Sequence, residues 1–237
     1  MYRRKKIAVI IPALEEEESL PIVLDAIPAC VDRIIVADNG SADRTYQIAC
    51  DKTCYPRVSA CRQKQRGYGS ACLKAMELLE DEDIIVFLDA DFCDDPAKIY
   101  LLLDPIVEKQ GDVVISNRVN SQSEAGSLSL QQRLGNRLAV FLIRLLWGFS
   151  YLDLGPFRSI SKAKLAALGM QDRNYGWTVE LQIKVLQLGM QVVQADVPYK
   201  RRGAGKSKVS RTVKGTLLAG SKIIYTIFKL KIARLSR

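Results

Sequence analysis

Histidine is absent from this chain of 237 residues, and so is the C-x-x-C spacing of cysteines. Its six cysteines lie at positions 30, 50, 54, 61, 72 and 93, and none of them forms a C-x-x-C pair. Because structural zinc sites are usually built from such pairs and from histidine, the sequence argues against a zinc site. We therefore expect the cysteines to be free thiols in a reducing compartment.

Long apolar runs are also missing. No segment reaches the roughly 18 uninterrupted apolar residues that indicate a membrane-spanning helix. Near the N-terminus the apolar run IAVII ends at Pro12 and four glutamates, so it is too short for the apolar region of a signal peptide. Because that run is too short for a signal peptide, we expect a cytoplasmic protein. The composition, with 48% hydrophobic and 26% charged residues, is that of a globular protein.

Acidic residues are scarce in the second half of the chain, and none follows Asp196. Residues 1–110 hold 14 basic and 20 acidic residues, a net charge of −6, whereas residues 111–237 hold 21 and 6, a net charge of +15. This asymmetry predicts a metal site facing an anion site, or a basic face on an anionic surface. Nucleic-acid binding or solubility alone would give the same totals, so charge does not decide between them.

Short β-type runs alternate with helical stretches in the first half. We expect strands at 6–13, 33–39, 57–61, 83–91 and 112–119, and helices at about 16–27, 43–52, 68–80 and 96–109. This alternation predicts βαβ units in a Rossmann-like, mostly parallel α/β sheet flanked by helices. No linker interrupts the pattern, so residues 1–237 are expected to form a single domain. Ligands bind such sheets at the carboxyl ends of strands, where Asp38 and Asp89 are expected.

Two segments of the second half combine apolar residues with basic charge. Residues 130–151 predict a helix with an apolar middle and arginines at 133, 137 and 144. A core helix and a helix lying at a membrane interface are equally compatible with that pattern. The tail from Thr212 carries only basic charges and is apolar on one side. It fits peripheral attachment to anionic lipid, although packing against its own sheet would use the same apolar residues.

The stretch FLDADFCDDP, residues 87–96, places Asp89 and Asp91 directly after an apolar run. If the strand continues through them, both carboxylates point to one face of the sheet. Their Cα atoms would lie about 6.6 Å apart, because a strand rises ~3.3 Å per residue. Carboxylate oxygens suit Mg²⁺ or Mn²⁺, which retain open positions for substrate phosphates, so the pair predicts a metal site. A phosphatase or phosphomutase of the aspartyl-phosphate kind would carry such a pair after its first strand, not its fourth.

Glycines 67 and 69 open a predicted helix in the segment QRGYGSACLKAM. Free backbone amides at that helix start could bind a phosphate or a sugar, which makes Gly67 a candidate for the nucleotide-sugar site. An ordinary junction between a loop and a helix would show the same glycines, and the sequence leaves both explanations open.

The segments VIIPALEEEESL, VADNGSADRT, RGYGSACLKA and FLDADFCDDP, taken in order, resemble the nucleotide-sugar half of the inverting family-2 glycosyltransferases. The resemblance continues over nearly the whole chain through DVVISNRV, SLQQRLGNRL, DLGPFRSI, YGWTVELQI and VPYKRRGAGKSKVS. It is closest to the dolichyl-phosphate mannose synthase-like branch. The resemblance implies a GT-A fold with a nucleotide-sugar half at 1–118 and an acceptor half at 119–237 that includes basic amphipathic C-terminal helices.

The same resemblance implies residues that bind the donor. Pro12, Glu16 and Asp38 would hold the base and ribose, and a basic loop would close over the diphosphate with Arg202, Ser207 and Lys208. Asp89 and Asp91 match the family's D-x-D, which binds Mg²⁺ or Mn²⁺ and the donor diphosphate. Two positions depart from the pattern: Glu15 stands where an Asn is usual, and Cys93 where mannose synthases have Gln. The third metal ligand is therefore open.

The acceptor is less determined than the donor. By resemblance, Arg118 and Arg133 would hold the phosphate of a polyprenyl phosphate, which is already anionic and needs no base. A hydroxyl acceptor needs a general base, and without histidine the candidates are Glu180, at a position where many inverting members carry a catalytic carboxylate, and Asp153. The net charge of +15 in residues 111–237 favours a phosphate acceptor over a hydroxyl acceptor.

The sequence thus predicts a metal-dependent, inverting hexosyltransferase that uses a UDP- or GDP-linked sugar, with UDP preferred. Its expected acceptor is a polyprenyl phosphate at the inner face of the membrane, where the protein would be peripheral; no nucleic-acid partner is expected, and self-association is left open. A sugar nucleotidyltransferase would need a glycine-rich loop ending in a basic residue where this chain has PALEEEE. A non-catalytic basic adaptor on membrane or nucleic acid would leave the D-x-D idle.

Overall fold

The computed structural model describes residues 1–203 and 213–235, although the side chains of 213–217 and 235 are outside the description. Seven strands form one sheet in the order β3-β2-β1-β4-β6-β5-β7. The strands are β1 (Ile7–Ala13), β2 (Arg33–Asp38), β3 (Val58–Arg62), β4 (Ile84–Phe87), β5 (Val113–Asn117), β6 (Arg158–Ser161) and β7 (Val192–Asp196). The predicted α/β class and the five predicted strands are confirmed, while β6 and β7 are additional.

The central strands are apolar on both faces because helices cover both sides of the sheet. In β1 the side chains alternate between two cores, with Ala8 and Ile10 on one side and Ile7, Val9 and Ile11 on the other. All five are fully buried, as the near-continuous apolar runs of parallel strands require. The sheet is therefore the middle layer of three.

Eight α-helices lie around the sheet in the described part of the chain. They are α1 (Leu20–Ala26), α2 (Thr45–Cys50), α3 (Tyr68–Met76), α4 (Tyr100–Val107), α5 (Leu130–Trp147), α6 (Lys162–Leu168), α7 (Trp177–Gln187) and α8 (Val213–Leu235). One core holds side chains of α3, α5, α6, α7 and α8, and the opposite core holds those of α1, α2 and α4. The helices predicted in the first half are thus present, in shorter form.

Strand β6 is the one antiparallel member of the sheet, and it lies between β4 and β5. Its first residue, Arg158, pairs with Phe87 at the end of β4. The chain before β6 therefore runs along the edge where β1, β2, β4 and β5 all end. That edge receives Asp38, the D-x-D segment and Asp153 from three different parts of the chain.

Helices α5 and α8 pack against each other and against α7. Helix α5 begins with a capping box formed by Ser129 and Gln132 and ends at Gly148, whose φ of 75° is left-handed. Lys231 of α8 donates to the Leu146 carbonyl at 2.8 Å, which fixes one helix on the other. Within residues 1–203 and 213–235, no helix is both long enough and apolar enough to cross a membrane.

Candidate active site

The D-x-D segment lies just beyond the end of β4, in a turn. The expectation that both carboxylates project from a strand is wrong, because β4 ends at Phe87 and Phe92 has a left-handed φ of 59°. The turn is closed by Asp91, whose Oδ1 accepts a hydrogen bond from the Cys93 amide at 3.0 Å. Asp89 and Asp91 nevertheless lie at the carboxyl edge of the sheet, as predicted.

Arg202 joins the two ends of the chain at this edge. Its Nη1 donates to both carboxylate oxygens of Glu16 at 2.9 Å, and its Nη2 donates to Asp91 Oδ2 at 2.8 Å. Burial raises the pKa of Glu16, while hydrogen bonds from Ser19 and Arg202 oppose that rise. The predicted donor residues Glu16, Asp91 and Arg202 therefore form one cluster, although 186 positions separate the first from the last.

Asp89 lies beside this cluster and is held by an aromatic hydroxyl. Tyr68 donates to Asp89 Oδ1 at 3.0 Å. Burial, together with the negative charge of Asp91, raises the pKa of Asp89 to about 6. A carboxyl group whose pKa is raised by a neighbouring carboxylate is stabilised in its ionised form when a cation lies between the two.

Asp94 adds a further buried carboxyl group. It is 2% exposed, and neither of its side-chain oxygens has a hydrogen-bond partner among the described residues. Burial raises its pKa well above the usual range, and the neighbouring Asp89 and Asp91 add to that effect, while Arg118 opposes it. The D-x-D turn therefore holds three acidic side chains, Asp89, Asp91 and Asp94, close enough that Asp91 raises the pKa of the other two carboxyl groups.

The residues at this turn fit a hard divalent cation in part. Asp89 and Asp91 offer the carboxylate oxygens that Mg²⁺ and Mn²⁺ prefer. No group of three or more Asp, Glu, Cys or His side chains converges on one point in the part of the chain that the structure describes. The protein would thus supply two ligands and leave the other positions to water and substrate, as is usual for Mg²⁺.

Cys93 lies in an apolar environment beside this turn. Its side chain is 5% exposed and packs with Leu128 and Tyr199 in a small apolar cluster. Burial raises the pKa of the thiol, and Asp91 adds to that rise. Cys93 thus has a packing role in this structure.

Asp38 occupies the predicted position at the end of β2, where it is fully buried. Its Oδ1 accepts from the Ser41 amide at 3.1 Å and its Oδ2 from Arg62 Nε at 2.9 Å. The Arg62 guanidinium also lies 4.2 Å from the centre of the Tyr46 ring. Pro12, half-buried in β1, pairs in register with Ala37, the residue before Asp38.

Gly67 and Gly69 are explained by close packing. A Cβ on Gly67 would lie 2.1 Å from the Arg173 carbonyl oxygen, and a Cβ on Gly69 would lie 2.0 Å from that of Asp172. The Gly67 amide donates to Asn39 Oδ1 at 2.7 Å. The Gly67 amide, a candidate for binding a phosphate or a sugar, therefore already has a partner within the protein.

Arg118 is paired with Asp153. Its Nε and Nη2 donate to the two Asp153 oxygens at 2.6 and 3.0 Å, and its backbone amide donates to Oδ2 at 3.0 Å. Burial alone would raise the pKa of Asp153, but the charge and hydrogen bonds of Arg118 hold it below its usual value. Arg118 thus reaches the site with its charge largely compensated.

Arg133 is exposed on the first turn of α5. One turn further along, Asn136 Oδ1 accepts from the Leu154 amide at 3.0 Å, next to Asp153. This contact places the start of α5 beside the Arg118–Asp153 pair. The two predicted acceptor arginines therefore lie at the same end of the molecule. The charge of Arg118 is compensated by Asp153, whereas Arg133 is exposed to solvent.

Glu180 does not join the other predicted residues. It is buried in α7 and accepts hydrogen bonds from the amides of Gln171, at 3.1 Å, and Asp172, at 2.7 Å. Lys184 forms an ion pair with it at 2.8 Å. These contacts give Glu180 a structural role in the turn before α7. Ser207 and Lys208 lie outside the described residues.

Sequence reasoning missed three side chains of this region: Tyr68, Arg62 and Asp94. Tyr68 stands between the two glycines of RGYGS and is the first residue of α3. That position, beside the edge of the sheet, is the signal that could have indicated it. Arg62 closes β3 next to Asp38 in register, which the parallel pairing of β2 and β3 makes predictable. Asp94 is one of four aspartates in FLDADFCDDP, and the sequence does not distinguish it from the others.

Comparison with known proteins gives matches over most of the chain. The model of glycosyl transferase family 2 matches residues 8–167. An uncharacterized glycosyltransferase of Mycobacterium tuberculosis is 34% identical over 214 residues, which cover 90% of this chain and 94% of that protein. The UDP-N-acetylglucosamine–dolichyl-phosphate N-acetylglucosaminyltransferase of Methanococcus voltae is 27% identical over 250 residues, covering 97% and 98%.

A solved structure with a similar fold is glucosyl-3-phosphoglycerate synthase from Mycobacterium tuberculosis, in complex with Mn²⁺, UDP and glucosyl-3-phosphoglycerate. It superposes with a TM-score of 0.75 at 23% identity, over 95% of this chain and 80% of that one. At this identity the likeness concerns the fold.

Proposed function

The chain belongs to glycosyl transferase family 2 and has the GT-A fold, and on that premise we propose that it transfers a hexose from a UDP-linked donor to a polyprenyl phosphate, with inversion and with Mg²⁺ or Mn²⁺. The observation that supports this most directly is the cluster of Glu16, Asp91 and Arg202 beside Asp89. It combines carboxylates for a cation with an arginine for a diphosphate. The Methanococcus relative, whose name includes UDP-N-acetylglucosamine and dolichyl phosphate, supports the choice of donor and acceptor class.

On the donor side, Asp89 and Asp91 would hold the cation. When bound, the ion would neutralise charge that develops on the departing nucleoside diphosphate. Arg202 has the charge and the planar donors to bind a diphosphate oxygen once it leaves Asp91. Asp38, positioned by Arg62, and Pro12 would contact the base and ribose.

On the acceptor side, neither of the two carboxylates considered as a general base, Glu180 and Asp153, is free to accept a proton. The oxygens of Glu180 are occupied by two amides and Lys184, and Asp153 is held ionised by Arg118 with a lowered pKa. A carboxylate with a lowered pKa is a poor proton acceptor at neutral pH. An anionic phosphate needs no base, which favours a lipid phosphate over a hydroxyl. Exposed Arg133 would bind that phosphate, and the Arg118–Asp153 pair would form the wall beside it.

The proposal is tested by donor turnover in detergent with Mn²⁺. UDP- and GDP-linked sugars are supplied with and without undecaprenyl phosphate, and both released nucleoside diphosphate and glycosylated lipid are measured. We expect release from a UDP-sugar that rises when the lipid is added, with sugar recovered on the lipid. Release that ignores the lipid would indicate a hydroxyl acceptor, and no metal-dependent turnover of any donor would reject the proposal.

Arg133→Ala is the sharper variant, because Arg118→Ala would also leave buried Asp153 without its countercharge. Loss of one charged contact to phosphate predicts a fall in transfer of roughly ten- to a hundredfold, with donor binding unchanged. Lys164→Ala removes another exposed cation, paired at the surface with Asp112 at 3.4 Å, and should retain normal transfer. Equal transfer by the two variants would remove Arg133 from the acceptor site.

A further inference from the structure

One face of α5 is apolar and exposed along its whole length. Five large side chains recur at intervals of three or four residues, and between 46% and 69% of each is exposed: Leu130, Leu134, Leu138, Phe141 and Leu145. At 3.6 residues per turn they fall within an arc of about 80° and extend over roughly 22 Å of helix. The opposite face of α5 buries Ala139 and Ile143 in the core. The exposed stripe is therefore unnecessary for packing α5 onto the sheet, and contiguous surfaces of this kind usually mark an interaction site.

Arginines line one edge of this stripe. Arg133, Arg137 and Arg144 are all exposed, and the helical geometry places them within about 40° of one another, on the same flank of the five apolar side chains. No acidic residue occurs in α5. We define the α5 surface as these five apolar residues and three arginines.

We propose that the α5 surface is where the protein lies on a bilayer that contains anionic lipid. A helix at an interface buries its apolar stripe at the level of the acyl chains and directs basic side chains to the phosphates. Leucine and phenylalanine in the middle and arginine along the edge match that arrangement. Attraction to anionic headgroups adds to the burial of apolar area.

Charge favours a bilayer over a second copy of the chain. In a symmetric dimer through this surface, three arginines of one copy would approach those of the other. The adjacent helix α8 offers no compensation, since its sequence contains basic residues and no acidic residue. Lipid phosphates supply the negative charge that the surface lacks.

The α5 surface begins at the proposed acceptor site. Arg133 and Leu134 lie on the first turns of α5, beside the contact of Asn136 with Leu154 and hence beside Asp153. A lipid phosphate at the bilayer surface would then reach Arg133 without leaving the membrane. This connection rests on the proposed function, whereas membrane binding through the α5 surface does not.

The experiment is co-sedimentation of the full chain with vesicles of phosphatidylcholine, with and without phosphatidylglycerol. The double variant Phe141→Asp, Leu145→Asp changes two exposed residues of the stripe, and Ile22→Asp changes a side chain, 44% exposed, on α1 at the opposite face of the sheet. We expect wild type and Ile22→Asp to bind vesicles containing phosphatidylglycerol, more weakly at high salt, and the double variant to bind at least tenfold more weakly. A thermal melt confirms that each variant is folded.

A second variant, Arg137→Glu with Arg144→Glu, keeps the apolar stripe and should lose the preference for phosphatidylglycerol. Equal binding by all variants, or no binding by wild type, would overturn the proposal. So would a concentration-dependent dimer of wild type, seen by light scattering and lost in the double variant. Wild type that binds vesicles but transfers no sugar to undecaprenyl phosphate would contradict the proposed function alone and leave the α5 surface assigned.

Discussion

Arg202 is the residue whose position says most about how the site works. Its guanidinium bridges Glu16 and Asp91, so a positive charge already stands at the carboxylate proposed for the divalent cation. Asp91 Oδ2 accepts from Arg202 while its Oδ1 accepts from the Cys93 amide, and both oxygens are thereby engaged. A cation that binds Asp91 would therefore compete with Arg202 for this carboxylate, and an Arg202 released from it would be available to the donor diphosphate.

This competition predicts that one substitution, Arg202→Ala, raises the affinity for Mn²⁺ and lowers the transfer activity. Arg202→Ala should bind Mn²⁺ several-fold more tightly than wild type in the absence of nucleotide, because the competing charge-assisted hydrogen bonds are gone. The same variant should lose most of its transfer activity, because the diphosphate loses a positive partner. Titration of free Mn²⁺ by electron paramagnetic resonance measures the first effect, and product formation measures the second.

Arg201→Ala is the matched control for that variant. Arg201 is the neighbouring residue, and among the described residues its side chain donates to the Ala125 carbonyl and not to Glu16 or Asp91. The control should leave Mn²⁺ affinity near the wild-type value. Weaker Mn²⁺ binding by Arg202→Ala, or equal tightening in both variants, would show that Arg202 does not compete for Asp91.

Asp89 predicts a pH dependence of stability in the metal-free protein. Its pKa of about 6 exceeds the unfolded value near 3.9, so it favours the folded state fully below pH 4, and this contribution is lost as pH rises to about 6. Over that pH range the free energy of unfolding falls by about 3 kcal/mol, taking two pKa units as the shift. Asp89→Asn removes the charge and keeps an acceptor for Tyr68.

We therefore expect Asp89→Asn to raise the stability of metal-free protein to urea at pH 7.5 and to have little effect at pH 4. The same substitution should weaken Mn²⁺ binding, since a carboxylate ligand is lost. A variant less stable than wild type at pH 7.5 would mean that Asp89 is ionised at no cost in the folded protein. Tyr68→Phe, which removes the hydroxyl donor, separates the hydrogen bond from the charge.

At the scale of helices and strands, glycine decides how closely α3 approaches the loop before α7. Gly67 has a φ of 141°, and its missing Cβ leaves room for the Arg173 carbonyl. The Ser70 amide donates to that same carbonyl at 2.9 Å, so loop and helix are bonded as well as packed. The start of α3 then carries Tyr68 to Asp89, which links this packing to the site.

Gly69→Ala should lower the free energy of unfolding by about 2–3 kcal/mol, because its Cβ would overlap the Asp172 carbonyl at 2.0 Å. Gly135→Ala is a control with the opposite sign. Gly135 lies inside α5 with no atom within 4 Å of the added Cβ, so alanine should stabilise that helix by about 1 kcal/mol. Urea denaturation measures both. Two variants of equal stability would show that the loop moves aside without penalty.

The elements that sequence could predict are those with a strong local pattern. The β-branched runs of β1, β2 and β4 and the alternation with helices gave a parallel sheet, and that topology placed Asp38 and Asp89 at one edge. Strand β6 was missed because its four residues, RSIS, carry no apolar run and pair antiparallel with strands distant in sequence. Local pattern contains no information about such a pairing.

The roles of individual charged residues were harder to predict than their locations. Glu180 matched a catalytic position, but its partners are the amides of a preceding turn whose path no periodicity specifies. Arg118 matched an anion-binding position, and its pairing with Asp153 depends on the loop before the missed strand β6. Sequence thus located ionisable groups where the sheet fixed them, and could not predict their partners where a loop supplied them.

At the scale of the whole molecule, the two halves expected from the sequence share one sheet. Strand β5 belongs to the first half, and both of its neighbours, β6 and β7, belong to the second. Strand β6 also pairs with β4 of the first half. The Trp177 ring of the second half contacts Phe87 of the first, edge to face, with ring centres 6.0 Å apart. Every pairing of β5, β6 and β7 therefore joins the two halves, whereas β1 to β4 also pair among themselves.

This interleaving predicts that the chain unfolds as one cooperative unit, and the chain carries natural reporters for each half. Both tryptophans, at 147 and 177, lie in the second half, so their fluorescence reports its unfolding. Cys61 and Cys72 lie buried in the first half, and their thiols react with a labelling reagent only when that half opens. We expect the fluorescence change and the labelling of these two thiols to share one urea midpoint, as two-state unfolding requires.

The labelling is clearest in a variant with Cys50 and Cys54 replaced by serine, since both are exposed and react in the folded protein. Half-buried Cys30 and buried Cys93 are followed separately by peptide mapping. Labelling of Cys61 and Cys72 at a lower urea concentration than the fluorescence change would divide the molecule into two units near residue 118. A common midpoint would mean that the donor and acceptor sides cannot open independently, so that changes at Arg202 must occur within an intact sheet.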